Sequence, residues 1–248
     1  MKENIDFIFG LRAVIEAIRA GKEINKIMIQ KGMDKDLFLE LKKETAKKDY
    51  NLQFVPIEKL NKLTLQNHQG VIAFIAPVEY HSTEEIMEKI LAEGRTANFL
   101  MLDRITDVRN FGAIARSAEC LGVDAIIIPK KGGATITADA IKTSAGALNS
   151  LPVCREDYLQ DTLLMLEQYG VKIIACTEKT KNSLPEVNFS GSTCIVLGSE
   201  EDGISPEVLK YCKERAKIPL SGKIGSFNVS VAAGIVLYEK AMQVSNAE

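Results

Sequence analysis

Histidine is scarce in this sequence. There are two, His68 and His81, and none lies in the C-terminal half. A histidine general base for chemistry in that half would have to be borrowed from the rest of the chain or from another subunit. Cysteine is sparse and unpatterned: Cys120, Cys154, Cys176, Cys194 and Cys212 make no Cys-x-x-Cys pair. That argues against a zinc framework or a disulfide scaffold and for buried free thiols in a reducing compartment. No apolar run approaches membrane length, and Met1–Asp6 lacks the apolar core of a signal peptide, so a cytoplasmic protein without membrane or metal is expected. Charge of one sign is also missing. Lys+Arg of 31 against Asp+Glu of 33 leaves a formal −2, so a nucleic-acid partner would need a local basic patch.

What is present is enough apolar residue, 46% of 248, for one large domain or two modest ones, and the pattern favours two. Residues 1–77 read as a small α/β unit. Leu11, Val14, Ile15 and Ile18 fall at helical spacing before Gly21, Lys26–Ile29 reads as a strand, and Leu37–Lys48 is a charged amphipathic helix. Gln53–Val55 and Val71–Ile75 supply further strands, which implies a three-layer sandwich of about seventy residues. Arg12, Arg19, Lys22, Lys26 and Lys31 are either an ordinary solvated face or a surface for phosphates. His68, in a loop before a strand, reads as structural. Residues 78–95 form a linker and connecting helix, opened by the capping box Ser82-Thr83-Glu84-Glu85.

Residues 96–248 repeat strand, helix, strand, which by sequence rules alone is an α/β fold with a mainly parallel, Rossmann-like sheet. Asn98–Leu102 and Gly122–Pro129 are apolar strands, with a helix from about Asn110 to Leu121 between them. Its buried stripe is Ile114, Ala118 and Leu121, and Arg116 lies roughly 200° round from Ile114. The last third carries two glycine loops. The run Cys194–Leu197 stops at Gly198-Ser199-Glu200-Glu201-Asp202-Gly203; a second strand, Ala216–Leu220, enters Ser221–Gly225 before a small-residue helix. Neither loop has the form Gly-x-x-x-x-Gly-Lys-Ser/Thr or Gly-x-Gly-x-x-Gly, which disfavours a phosphate cradle and an NAD enzyme. Backbone brought close to a flat ligand fits adenosine without phosphate better.

Asn110-Phe111-Gly112-Ala113-Ile114-Ala115-Arg116, then Leu197-Gly198-Ser199-Glu200, then Ile218-Pro219-Leu220 with Ser226-Phe227-Asn228-Val229-Ser230 resemble, in order, the three motifs of the SpoU/TrmH-type RNA ribose methyltransferases of the SPOUT class. Ile8–Val14 and His68-Gln69-Gly70-Val71 resemble the substrate-binding domain of the branch that methylates guanosine 2′-hydroxyls in 23S rRNA. One departure is Ser199, where the motif commonly has alanine.

The resemblance implies a C-terminal trefoil-knot domain with a parallel sheet, an N-terminal L30e-like RNA-binding domain, S-adenosylmethionine as cofactor, structured RNA as partner and a homodimer with sites at the subunit interface. Val231–Leu237 could form that contact or be core. The implied catalytic residues are Arg116, Asn110, Glu200, Ser226 and Asn228; the implied adenosine site is the backbone around Leu197, Gly198, Ile218, Leu220, Phe227 and Asn228. Arg116 would hold the phosphate beside the target ribose, and electrostatic activation suits it better than a base role, because its ordinary pKa exceeds about 12. Glu200 would anchor Arg116 or accept a proton. Alternatives remain for each: a surface arginine, a helix-capping Asn110, a solvated acidic loop, and Ser226 and Asn228 as caps. The rival functions are the same transfer on tRNA and a non-catalytic RNA-binding or ribosome-assembly protein.

Overall fold

The computed structural model describes residues 7–48 and 50–246, and the reading of Met1–Asp6 lies outside them. The chain divides into two units, one running to Glu79 and taking in Thr135–Ala138, the other made of Tyr80–Ala134 and Asp139 onward.

The first unit contains β1 (Phe7–Phe9), α1 (Leu11–Arg19), β2 (Ile24–Gln30), α2 (Lys35–Thr45), β3 (Leu52–Val55), α3 (Ile57–Asn61) and β4 (Val71–Ile75). Its four-stranded sheet runs β1-β4-β2-β3, antiparallel except for the β2–β3 pair. Side chains alternate across a strand, so β2 and β4 are each buried on both faces. Ile27, Ile29, Val71 and Ala73 pack with Leu11, Val14, Ile15 and Leu41 of α1 and α2, whereas Met28, Ile72 and Phe74 pack with Leu60 of α3. Three layers result. β1 was not expected as a strand, because three residues ending at Gly10 give too little alternation to read.

The second unit contains β5 (Tyr80–His81), α4 (Thr83–Ala92), β6 (Asn98–Asp103), α5 (Val108–Cys120), β7 (Ala125–Pro129), α6 (Ala138–Thr143, counted from Asp139 in this unit), β8 (Val153–Glu156), α7 (Leu159–Gln168), β9 (Lys172–Cys176), β10 (Thr193–Gly198), α8 (Pro206–Leu209), β11 (Glu214–Ala216) and α9 (Val229–Ser245). Its seven strands run β11-β9-β10-β6-β7-β8-β5, with every pairing parallel. Strands 10 and 6 sit in the middle and are apolar without alternation, as sheets covered on both faces require. The order is not a simple progression. The chain leaves β9, enters β10 on one side of it, then returns as β11 on the other, so the carboxyl ends of β9, β10 and β11 open onto one place.

Several boundaries differ from expectation. The last strand is Glu214–Ala216, and Ile218–Leu220 continue beyond the ladder as irregular backbone. Short strands β5 and β8 were missed. The helix within 78–95 is capped by Ser82, whose Oγ accepts from the Glu85 N–H, and buries Met87 and Ile90 in the core of the second unit. It is thus part of that core as well as a connection. Among the described residues no helix is long and apolar enough to cross a membrane, and no three metal-ligating side chains cluster.

Candidate active site

At the carboxyl ends of β9, β10 and β11 lies a cleft of about 420 Å³. Open parallel sheets present ligand sites at this end, where the chain order reverses. Leu197, Gly198, Ile218, Leu220 and Phe227 line it, together with Glu200 and Ser226. Leu220 and Phe227 are 41% and 42% exposed, leaving apolar faces at the lip with room for a ligand to cover them.

Gly198 is dictated by packing. A Cβ there would stand 2.0 Å from the carbonyl carbon of Gly203 and 2.1 Å from the nitrogen of Ile204, because the acidic loop folds straight back on the strand end. Backbone bonds between Ser199 and Gly203, 3.1 and 3.0 Å, close that loop, and the Ser199 Oγ accepts from the Asp202 N–H at 3.2 Å. The serine that departs from the motif therefore braces the turn. From β6, the buried Asp103 carboxylate accepts from the Ser205 N–H at 2.6 Å, and Arg104 donates to Asp202 Oδ2 at 3.3 Å and to the Gly203 carbonyl at 3.1 Å. Arg104 does so at φ 59, a left-handed conformation rare for a bulky residue.

Three predicted residues meet here. Glu200 Oε1 accepts from Asn228 Nδ2 at 2.7 Å, from Asn110 Nδ2 at 3.0 Å and from the Val229 N–H at 3.4 Å, while Asn228 Nδ2 also donates to Asn110 Oδ1 at 3.1 Å. The carboxylate sits at the positive end of α9, where a helix dipole favours an anion. Asn110 is not the cap of α5. That place is taken by Asp107, whose side chain accepts from the Asn110 N–H at 2.7 Å, which frees the Asn110 amide for Glu200. Asn228 does cap α9, accepting from the Ser230 N–H at 3.0 Å, and serves the triad with its other atom. Ser226 lies in the loop before the helix and caps nothing.

Arg116 is elsewhere. It is exposed on α5, opposite the buried Ile114 and Ala118, lines neither this cleft nor the one beside it, and makes no ion pair with any described residue. No hydrogen bond or ion pair joins it to Glu200, so the anchoring expected of Glu200 goes to the two asparagines instead. The neighbouring cleft of about 400 Å³ shares Glu200 and adds Asn110, Asp107 and Arg104. Sequence reading missed Cys176, Thr177, Glu178 and Lys179, which line the first cleft just past β9. The available signal was the polar run ending the Val171–Cys176 strand. Burial pushes the Cys176 thiol up to about 12, so it faces the cleft as a neutral S–H. The cysteines are free; Cys154, Cys194 and Cys212 are buried, whereas Cys120 is exposed, contrary to a uniformly buried set.

The basic residues of the first unit divide. Arg19 is committed to Glu44, donating from Nε at 3.0 Å and Nη2 at 2.6 Å. Lys26 lies 4.6 Å from the centroid of the Phe74 ring, and burial lowers its pKa, with Lys59 adding to the effect. Neither is a free surface cation. Arg12, Lys22 and Lys31 are exposed and make no ion pair among the described residues. His68 is structural: its Nδ1 accepts from the Gly70 N–H at 3.0 Å, so Nε2 carries the proton and donates to Asn61 Oδ1 at 2.8 Å.

Residues 97–238 match the model of the SpoU rRNA Methylase family, and residues 7–81 match that of the RNA 2′-O ribose methyltransferase substrate-binding domain. A Staphylococcus epidermidis protein assigned to the TrmH family of tRNA/rRNA methyltransferases is 37% identical over 232 residues, 94% of this chain and 93% of that one. The SpoU methyltransferase AviRb of Streptomyces viridochromogenes, crystallised with AdoMet, superposes with a TM-score of 0.60 at 21% identity over 96% of this chain and 89% of its own. That likeness shows the fold. The A. aeolicus TrmH/SpoU tRNA modifying enzyme, 27% identical, covers 65% of this chain and 86% of its own with a TM-score of 0.56. With the family model spanning more than half of it and a relative this similar over nearly its full length, the chain belongs to the SpoU/TrmH family of RNA methyltransferases.

Proposed function

We propose that this chain transfers a methyl group from S-adenosylmethionine to the 2′-hydroxyl of a guanosine in 23S rRNA. The observation that carries the reading is the cleft itself: five of the six residues expected around adenosine line one cavity, and the sixth, Asn228, belongs instead to the Asn110–Glu200–Asn228 triad at its edge. The cavity is large enough for a nucleoside. Its lining suits the group: Gly198 lets backbone approach, Leu197, Ile218 and Leu220 offer apolar contact to a base, and no phosphate cradle is present. The cofactor supplies a methyl on a sulfonium, so no metal is called for.

What remains for the protein is alignment and removal of the hydroxyl proton. With Oε1 of Glu200 taken by the asparagines, Oε2 is left to face the substrate. Ser226, on the same cleft, orients the ribose or the methionine tail. Arg116 holds the phosphate next to the target ribose and lowers the cost of the developing alkoxide. Because Arg116 lines neither cleft beside Glu200 within one chain, this role requires a homodimer that brings it to a site at the interface. The exposed Val231, Tyr238 and Met242 on α9 give such a dimer an apolar face. In this reading residues 1–77 dock RNA, 78–95 connect, 96–248 carry the transfer, and the protein works in the cytoplasm.

A second reading, the same transfer on tRNA, is supported by the tRNA modifying enzyme among its structural relatives. The test supplies labelled S-adenosylmethionine with unmodified 23S rRNA and unmodified total tRNA in parallel. Label in the rRNA is expected. Label in tRNA alone moves the substrate, and tight RNA binding without any label favours the non-catalytic rival.

A further inference from the structure

The first unit contains a cavity of about 470 Å³ that its free cations do not line. Four carboxamides line its wall: Gln30 at the end of β2, and Gln66, Asn67 and Gln69 in the loop before β4. The side chains of Gln30, Gln66 and Asn67 make no hydrogen bond with any described residue, and Gln69 uses only its Oε1, which accepts from the Leu11 N–H at 3.0 Å. Met33, Leu37 and Ile57 supply the apolar part of the lining. No Lys or Arg lines the cavity. Its one carboxylate, Asp34, is spent capping α2 through the N–H groups of Asp36 and Leu37 at 3.0 and 3.3 Å.

The loop that presents these amides is held firmly. His68 ties it to Asn61, Gln69 and Gly70 sit at φ 50 and 77, and Gly70 packs so closely that a Cβ would lie 3.0 Å from Gln30 Oε1. Carboxamides carry a donor and an acceptor side by side and match the edges of nucleobases, whereas phosphate calls for cations or clustered N–H donors. Sequence-specific contacts to RNA are made with unstacked bases, whose faces need apolar cover and whose edges need such pairs.

We propose that this cavity receives a single unstacked RNA base, so that the first unit reads a nucleotide as well as docking the backbone. The proposal rests on the RNA-methyltransferase reading above. The free cations and the amide cavity then have separate tasks: Lys31, between the lining residues Gln30 and Gly32, steadies phosphate, and the amides select the base.

The two tasks separate by salt. A base contact contributes affinity with little salt dependence, whereas each phosphate contact contributes to the slope of log K against log salt. Binding of the full-length protein to an unmodified 23S rRNA transcript is measured across a salt series for wild type, Gln66→Ala, Asn67→Ala and, as control, Lys31→Ala. Both amides are exposed and unpartnered, so their removal leaves the fold intact, which unchanged melting would verify. Expected is a loss of about tenfold per amide removed at unchanged slope. Lys31→Ala should lower the slope magnitude by about 0.7–0.9. Amide variants that bind the transcript as wild type does would overturn the base pocket while leaving methyl transfer standing, and a reduced slope in them would make the cavity a phosphate site instead. A wild-type protein that neither binds nor labels the transcript would overturn both.

Discussion

Around Glu200 in the second unit, three charged side chains are committed inside the fold: Glu200 takes three donors, Arg104 grips the acidic loop, and Asp103 holds Ser205. In the first unit Arg12, Lys22 and Lys31 stand exposed without an ion pair among the described residues. The difference matches two physical tasks. Groups that align a reaction must be held before the substrate arrives, or ordering them is charged against the barrier. Groups that meet a polyanion need only be positive and reachable, because released counterions provide the driving force. Arg116 differs from that held set: it is exposed and makes no ion pair among the described residues, as expected of a group whose partner arrives with the substrate or a second copy.

The largest effect should come from the most committed position. Gly198→Ala forces backbone apart at a 2.0 Å contact, so a stability loss of roughly 3–5 kcal/mol and no cofactor binding are expected by melting and calorimetry. A normally stable variant would show that the loop yields and is not preset. Arg116→Ala comes next: methyl transfer should fall by about a hundredfold or more, with cofactor affinity within a few fold. Wild-type turnover in that variant would remove Arg116 from the mechanism. Asn228→Ala loses a helix cap, worth about 1 kcal/mol, and a donor to Glu200. Restored stability with Asn228→Ser but still low turnover would separate cap from triad.

A smaller effect concerns a buried cation away from the cleft. Lys240 of α9 donates to Asn98 Oδ1 at 2.8 Å and to Thr193 Oγ1, and burial lowers its pKa from 10.5 to about 8. Between those values the unfolded chain holds the extra proton, so this group adds stability as pH rises from 8 towards 10.5. The buried thiols oppose it. Cys154, Cys176 and Cys212, raised from 9.0 to about 12, and Cys194, raised further, keep protons that the unfolded chain loses above 9.0, which lowers stability there. Denaturant titrations of wild type and Lys240→Met across pH 7–10 isolate the lysine. Wild type should gain on the variant with pH, and parallel curves would contradict the assignment. Smallest is the loss of one free cation: Arg12→Ala or Lys22→Ala should reduce the salt slope of RNA binding by less than about one each and leave turnover at saturating RNA unchanged.

Much of the fold was legible in sequence. Continuous apolar runs such as Phe99–Leu102 and Cys194–Leu197, short and bounded by turn residues, fit doubly covered strands, and Leu11, Val14, Ile15 and Ile18 share one face of a helix. The order of the strands was not legible. Which neighbours β10 chooses depends on chain crossing and helix packing far along the sequence, while its own residues state only that both its faces are buried. Val153–Glu156 was missed because two inward residues after Pro152 make no pattern. In the site, Asn110 looked like a cap because its residue type suits one, but Asp107 three residues earlier had already taken that bond. Lys26 looked like a docking cation until Phe74, 48 positions on, covered it. Exposure and pairing are properties of the tertiary fold, which is why the motif resemblance named Asn110, Glu200 and Asn228 without showing that they meet, and could not place Arg116 relative to them.

The central claim is the site of methylation. Wild-type protein would be incubated with labelled S-adenosylmethionine and unmodified 23S rRNA, and the product hydrolysed in alkali, which cleaves next to free 2′-hydroxyls only. Label recovered in alkali-resistant dinucleotides carrying 2′-O-methylguanosine is the predicted result. Label released in mononucleotides would place the methyl on a base and contradict the account.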